Sequence, residues 1–271
     1  MVNDRRRSVP PGVDTSVAHS ARMYDWWLGG KTNFAADRAM GEAFIRAIPS
    51  IRTMARENRK FLGRAVRYLV DDAGIRQFLD IGTGIPTEGN VHEVAQDRAP
   101  DARVVYVDND PIVLAHARAL MVSGERGQTA YLHADLNEPE RILTDPVLTH
   151  TLDLGQPVGL IMVAILMLLS DAEDPWAKSR VLMDALPSGS YVAISHPGRE
   201  FDPEAMAHIE VVAAQGHMTV VPRVREEVER FFAGWELILP GLVPVKAWRP
   251  PIEPVASPDA AYYWAGVARK P

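Results

Sequence analysis

Residues 78–90 read FLDIGTGIPTEGN: an apolar run ends in Asp80, and Gly82 and Gly84 follow at once. Glycine reaches backbone conformations closed to other residues and lets a chain come close to a ligand. What surrounds the turn decides its meaning. From residue 75 onward, short apolar runs alternate with helical segments. Residues 77–81 predict a strand, 87–97 a helix, 102–110 (ARVVYVDND) a strand ending in acids, and 111–121 a helix with Pro111 in its first turn. Two further strands follow, QTAYLHAD (128–135) and PVGLIMVAI (157–165). Then comes a helix capped by Asp174, with Pro175 first and Ala177, Val181, Leu182 and Ala185 on its inner face, and a fifth strand, GSYVAISHP (189–197). This alternation predicts a parallel sheet with helices on both faces.

Working outward, residues 1–17 read as a disordered tail, with Arg5, Arg6 and Arg7 solvated in it. Residues 18–74 read as a helical cap. Ser50 is placed to cap a helix in which Ile51, Met54, Asn58, Leu62, Ala65 and Leu69 recur at helical spacing, and Gly74 marks its stop. Residues 75–271 form the sheet-bearing unit, one structural unit with the cap. At its far end Val224, Val228, Phe231 and Phe232 share a helical face closed by Gly234. WELILPGLVPV (235–245) and AAYYWAGVARK (260–270) have no crossover helix between them, so they pair antiparallel.

The 271 residues suffice for one or two domains with a core needing no cross-links. With no cysteine, disulfides and thiolate metal sites are excluded, which fits a cytoplasmic protein. The net charge of −6, without a basic stripe, argues against a general nucleic-acid binder. No apolar stretch follows the arginines as in a secretory signal, and the longest apolar run, 158–169, is too short to span a bilayer. A buried strand and its turn account for that run, so no membrane partner is expected.

Ligands of open α/β sheets sit beyond the carboxyl ends of the strands. Asp80, Asp108 and Asp135 end three successive strands. Asp108 lies 24 residues past Gly84, near the spacing at which an acid accepts from ribose hydroxyls, and Asp135 can accept from an exocyclic amine. Together they spell an adenosine ligand. Thr87 occupies the third glycine position of the dinucleotide fingerprint, and no phosphate-loop lysine follows. Asp80 would repel a diphosphate and attract an ammonium group, which S-adenosylmethionine supplies.

DIGTGIP, VVYVDNDP and LHADLNEP resemble the first three motifs of class I S-adenosylmethionine-dependent methyltransferases. More closely, ARMYDWWLGGKTNFAADRAM, ENRKFLGRAVRYL, RQFLDIGTGIPTEGNVHEVAQ, VVYVDNDPIVLAHARALM and GWELILPGLVPVKAWRP resemble the actinobacterial methyltransferase family known as DUF574. The resemblance implies a Rossmann-like α/β fold, a seven-stranded, mostly parallel sheet with an antiparallel C-terminal hairpin and N-terminal helices. It implies a cofactor site using Asp80, Gly82, Thr83 and Gly84, then Asp108 and Asn109, then Asp135 and Leu136, with Ala164 after the fourth strand. Pro86 stands where a third glycine is common.

RMYDWWLGGKTNF (22–34) sets Tyr24, Trp26, Trp27 and Phe34 around Gly29, Gly30 and Lys31. One reading is a packed helix ended by glycines, with Asn33 capping the next. The other is a lid whose aromatic faces suit a sulfonium cation, with Tyr24 and Asn33 near the cofactor. Methyl transfer needs a base only when the acceptor must lose a proton. His196, after the fifth strand, is the candidate to face the acceptor, while His133 packs. No residues show metal-ligand spacing, and no Asn-Pro-Pro-Tyr follows the fourth strand. The expected function is methylation of a small-molecule acceptor. The alternatives are a protein that holds S-adenosylmethionine or its product without turnover, and an NAD-dependent oxidoreductase.

Overall fold

A computed structural model describes residues 13–113, 115, 127–252 and 255–271. The first twelve residues of the expected tail, and most of the helix expected over 111–121, lie outside the described residues; 111–113 are helical. Three helices come first: α1 (Ser20–Leu28), α2 (Ala35–Ala47) and α3 (Ile51–Asp71). The six α3 residues expected to face inward, Asn58 among them, are all buried. Then follow β1 (Gln77–Ile81), α4 (Val91–Arg98), β2 (Arg103–Asp108), β3 (Gln128–His133), α5 (Pro139–Thr144), α6 (Pro146–Thr151), β4 (Gly159–Val163), α7 (Pro175–Asp184) and β5 (Tyr191–Pro197). The chain closes with α8 (Pro203–Gln215), α9 (Arg225–Glu229), β6 (Glu236–Leu237), β7 (Val243–Pro244) and β8 (Tyr263–Arg269).

The sheet runs β3-β2-β1-β4-β5-β8-β6, with β7 also on β8. The first five strands are parallel, and β8 is antiparallel to β5, β6 and β7. Eight strands replace the expected seven. Pro240 and Gly241 interrupt the run after β6, and proline cannot donate to a ladder, so one hairpin arm becomes two two-residue strands.

Both faces of the sheet are covered, so side chains alternate between two cores. Phe78, Val104, Tyr106, Ile161, Ala193 and Tyr263 point to the α3 face. Leu79, Val105, Val107, Leu160, Ile194 and Trp264 point to the opposite face, with Phe231 and Trp235. This parity decides which strand-end residues can meet.

Two helices start or face differently from expectation. Helix α4 begins at Val91, not residue 87, because Asn90 and Glu93 take the preceding amides: Thr87 N–H donates to Asn90 Oδ1 (3.2 Å), and Gly89 and Asn90 N–H donate to Glu93 Oε2 (2.7 and 2.8 Å). In α7 Asp174 and Pro175 hold the expected start, but Pro175, Ser179, Leu182 and Met183 are the buried set, and Ala177 and Ala185 are exposed.

A candidate cofactor and acceptor cavity

A cavity of about 240 Å³ lies at the carboxyl ends of the strands, on the α3 face, beneath α1, α2 and α8. Of the sequence-predicted residues, Tyr24, Asp80, Gly82, Thr83, Gly84, Asp108, Asn109, Asp135, Leu136 and Ala164 line it. Asn33 and His196 do not.

The glycine turn is shaped by its neighbours. Gly82 has φ +71°, and a Cβ there would overlap the Ile165 side chain. The turn's amides are spent inside the protein. Gly82 and Thr83 N–H both donate to the Val107 carbonyl (2.8 and 3.2 Å), and Gly84 N–H donates to Asp108 Oδ2 (2.8 Å). A pyrophosphate seat needs free amides at a helix start. Here those amides are taken, and α4 starts well beyond the turn.

Asp80 and Asp108 share the α3 face and are buried, at 7% and 8% exposure. Asp108 holds the loops together: its Oδ1 accepts from Asp110 N–H (2.9 Å) while Oδ2 accepts from Gly84. Burial raises its pKa, opposed by those two amide bonds. Two lone pairs of its carboxylate remain for a ligand's donors. Asp80 differs, because its carboxylate accepts no hydrogen bond from any described residue. Burial pushes it up to about 7, against the attraction of Arg59 and helped by repulsion from Asp108. A buried carboxylate without a donor fits a ligand that brings its own cation. Asn109 Nδ2 donates to Asp135 Oδ2 (3.0 Å), and Asn137 N–H to Asp135 Oδ1 (2.7 Å), so the third motif is fixed to the second.

Ala164 has φ +56°, a conformation costly for a residue with a Cβ, and its N–H donates to the Ser195 carbonyl (3.2 Å). The backbone of the β4 loop is thereby turned along the cavity wall.

Asn33 has another task. Its Nδ2 donates to Asp25 Oδ2 (2.9 Å) and to the Gly30 carbonyl (3.1 Å). Phe34, not Asn33, is the residue before α2, and its N–H goes to Asp37 (2.7 Å). Asp25 also takes Thr32 N–H (2.9 Å), and a Cβ on Gly30 would overlap its carboxylate. The double glycine is therefore a turn built around Asp25.

His196 lies on the wrong face for an acceptor. Alternation along β5 sends Ser195 to the α3 face and His196 to the other, where its ring stacks on Phe231. It is fully buried. Arg223 donates to its Nε2 (3.0 Å), which assigns the proton to Nδ1, bonded to the Pro197 carbonyl (3.1 Å). Burial first, then the Arg223 charge, lowers its pKa to about 3. It has no free lone pair and no basicity near neutral pH. His133 is exposed, with Nε2 3.0 Å from the Asn109 carbonyl.

Sequence reasoning missed the other half of the cavity, where Met54, Asn58, Met167, Met218 and Tyr263 are wall residues. It also missed a latch beside the cofactor half: His19 Nδ1 and Arg22 Nε lie 3.2 and 3.3 Å from Asp110 Oδ2. Only Asn58 carried a signal, as a polar residue on an otherwise apolar stripe. Among the described residues no group of acids and histidines could hold a metal ion, and no helix is long and apolar enough to cross a membrane.

The S-adenosyl methyltransferase family profile matches residues 6–271. The crystal structure of a DUF574 protein from Streptomyces avermitilis is 45% identical, with TM-score 0.92, over 95% of this chain and 99% of that one. A Thermobifida fusca protein crystallised as a candidate methyltransferase is 41% identical, with TM-score 0.89, over 97% and 99%. No curated protein matches. The chain belongs to the S-adenosyl methyltransferase family, with the Rossmann-like fold of that group, and its cofactor is S-adenosylmethionine. The nicotinamide alternative falls with that membership, in agreement with the occupied amides of the glycine turn.

Proposed function

We propose that the protein transfers the methyl group of S-adenosylmethionine to a small molecule, in the cytoplasm and without nucleic-acid or membrane partners. One observation carries this reading: the strand-end acids and a largely apolar chamber line a single cavity. In this reading Asp108 accepts from the ribose, Asp135 and Leu136 frame the adenine, and Asp80 faces the methionine ammonium across the Gly82–Gly84 turn. Bound there, the cofactor supplies an activated methyl. The protein orients it and excludes water, and positioning carries much of such a displacement. The cap, residues 18–74, acts as one unit with the sheet, and Tyr24 brings it to the cavity.

Retention of the cofactor without turnover is the second reading. It is favoured by the seclusion of His196, which leaves no histidine base among the described residues of the chamber wall. Calorimetric titration of ligand-stripped protein tests cofactor use. S-adenosylmethionine and S-adenosylhomocysteine bind with Kd on the order of 10 μM, NAD and NADP do not, and Asp108→Ala weakens the first two by about thirtyfold, the loss of about 2 kcal/mol expected for one charged hydrogen bond. Binding of NAD in their place would end the proposal. Formation of S-adenosylhomocysteine with an acceptor present separates turnover from retention.

A further inference from the structure

Resting on the methyl-transfer reading, the cavity divides by charge. His19, Arg59, Asp80, Asp108 and Asp135 all belong to the part over β1, β2 and β3. The part over β4, β5 and β8 has Trp27, Phe44, Met54, Met167, Ile209 and Met218 on its walls. An ion placed there would lose its hydration with no opposite charge to replace it. Methionine side chains are unbranched and polarizable, and they adapt to flat ring systems.

Three polar side chains, Tyr24, Asn58 and Tyr263, interrupt this chamber. Tyr24 Oη donates to the Ala55 carbonyl (2.9 Å) and accepts from Asn58 Nδ2 (3.1 Å). Ser195 Oγ donates to Asn58 Oδ1 (2.5 Å). The second N–H of Asn58 has no partner among the described residues. The Tyr263 hydroxyl, likewise buried, meets only the Met167 thioether, 3.9 Å away and a weak acceptor. Two donors on the walls of an apolar space are therefore left for an occupant to satisfy.

We propose that the methyl acceptor is a neutral, mainly apolar molecule of aromatic-ring size, held through an oxygen that accepts hydrogen bonds from Asn58 and Tyr263. Neutrality follows from the uncharged walls, a flat ring from the adaptable Met54, Met167 and Met218 side chains that line them, and the oxygen from the two donors.

The test uses protein saturated with S-adenosylhomocysteine and three probes of one ring system: 1-naphthol, 1-naphthoate and 1-naphthylmethylammonium, followed by calorimetry. 1-Naphthol binds about tenfold or more tighter than either ion. Tyr263→Phe weakens it about fivefold by removing one hydrogen bond. Met218→Lys, at a half-exposed position, weakens it about twentyfold by adding a charge. S-adenosylhomocysteine affinity stays unchanged in both variants, which certifies their fold. Absence of 1-naphthol binding while S-adenosylhomocysteine binds would overturn the proposal. So would tighter binding of either ion, or indifference to Met218→Lys. Failure of the wild type to bind S-adenosylhomocysteine would instead remove the methyl-transfer reading, and this proposal with it.

Discussion

At about pH 7.5 the Asp80→Asn variant melts about 5 °C above the wild type and binds S-adenosylmethionine about a hundredfold more weakly. Both effects come from one buried carboxylate. Without ligand it has no hydrogen-bond donor among the described residues and titrates at about 7, against 3.8 for a free aspartate. A folded-state pKa raised this far makes the ionised group a burden on the ligand-free fold, on the order of 4 kcal/mol at most. Asp80 thus adds nothing adverse below the unfolded pKa. The penalty grows as pH rises and is complete above about 7. The amide removes it, leaving about 2 kcal/mol of gain after the cost of its own unmade hydrogen bonds. The stability difference between the two proteins therefore shrinks as pH falls, vanishes near about pH 5, and reverses below it, where only the amide's own cost remains.

Cofactor binding has the opposite interest. A ligand ammonium selects the ionised carboxylate, so wild-type affinity rises about tenfold between about pH 5.5 and pH 7 and then levels off as the α-amino group itself titrates. The asparagine variant shows a flat profile over that interval. A lower melting temperature for Asp80→Asn, with unchanged cofactor affinity, would contradict this account on both counts.

Arg223→Met is the second large effect, a loss of about 4 kcal/mol and about 10 °C in melting temperature. Arg223 is 1% exposed. It donates to the carbonyls of Leu166 (3.2 Å) and Leu169 (3.0 Å), to His196 Nε2 (3.0 Å) and to Asp171 Oδ1 (2.7 Å). Its guanidinium lies 4.9 Å from the Trp176 ring centre. Methionine fills much of the volume but leaves two buried carbonyls and an imidazole nitrogen unpaired. Those carbonyls belong to the loop that carries Met167 into the chamber, so 1-naphthol binding falls as well. His196 gives an independent readout by nitrogen NMR, since its titration moves upward from about 3 once the neighbouring charge is gone. A variant as stable as the wild type, with His196 unmoved, would show that Arg223 does not hold this loop.

The strand-end motifs were legible in the sequence because each is local. A glycine turn, an acid at a strand end and a helical stripe such as Ile51–Leu69 are set by residues within one or two turns of chain. Parity was less legible. Whether Ser195 or His196 faces the cavity depends on which face of β5 meets α3, and both faces of that strand are apolar. Asn33 misled because a residue of capping type also serves in a turn, and the buried Asp25 recruited it. The proposed acceptor chamber was legible only in Tyr24 and in the polar Asn58 on the α3 stripe. Its walls come from α1, α2, α3, the β4 loop, α8 and β8, which meet only through the fold.

That division by chain segment has a consequence for how the family diversifies. The residues proposed to hold the adenosine sit on the ends of β1, β2 and β3, whereas the chamber is made by elements outside those motifs. Separated sites of this kind change nearly independently. Substrate range can then drift through exchanges among Met54, Ile209 and Met218 while the cofactor machinery stays under its own selection, so paralogues with the same adenosine grip can be expected to serve unrelated acceptors.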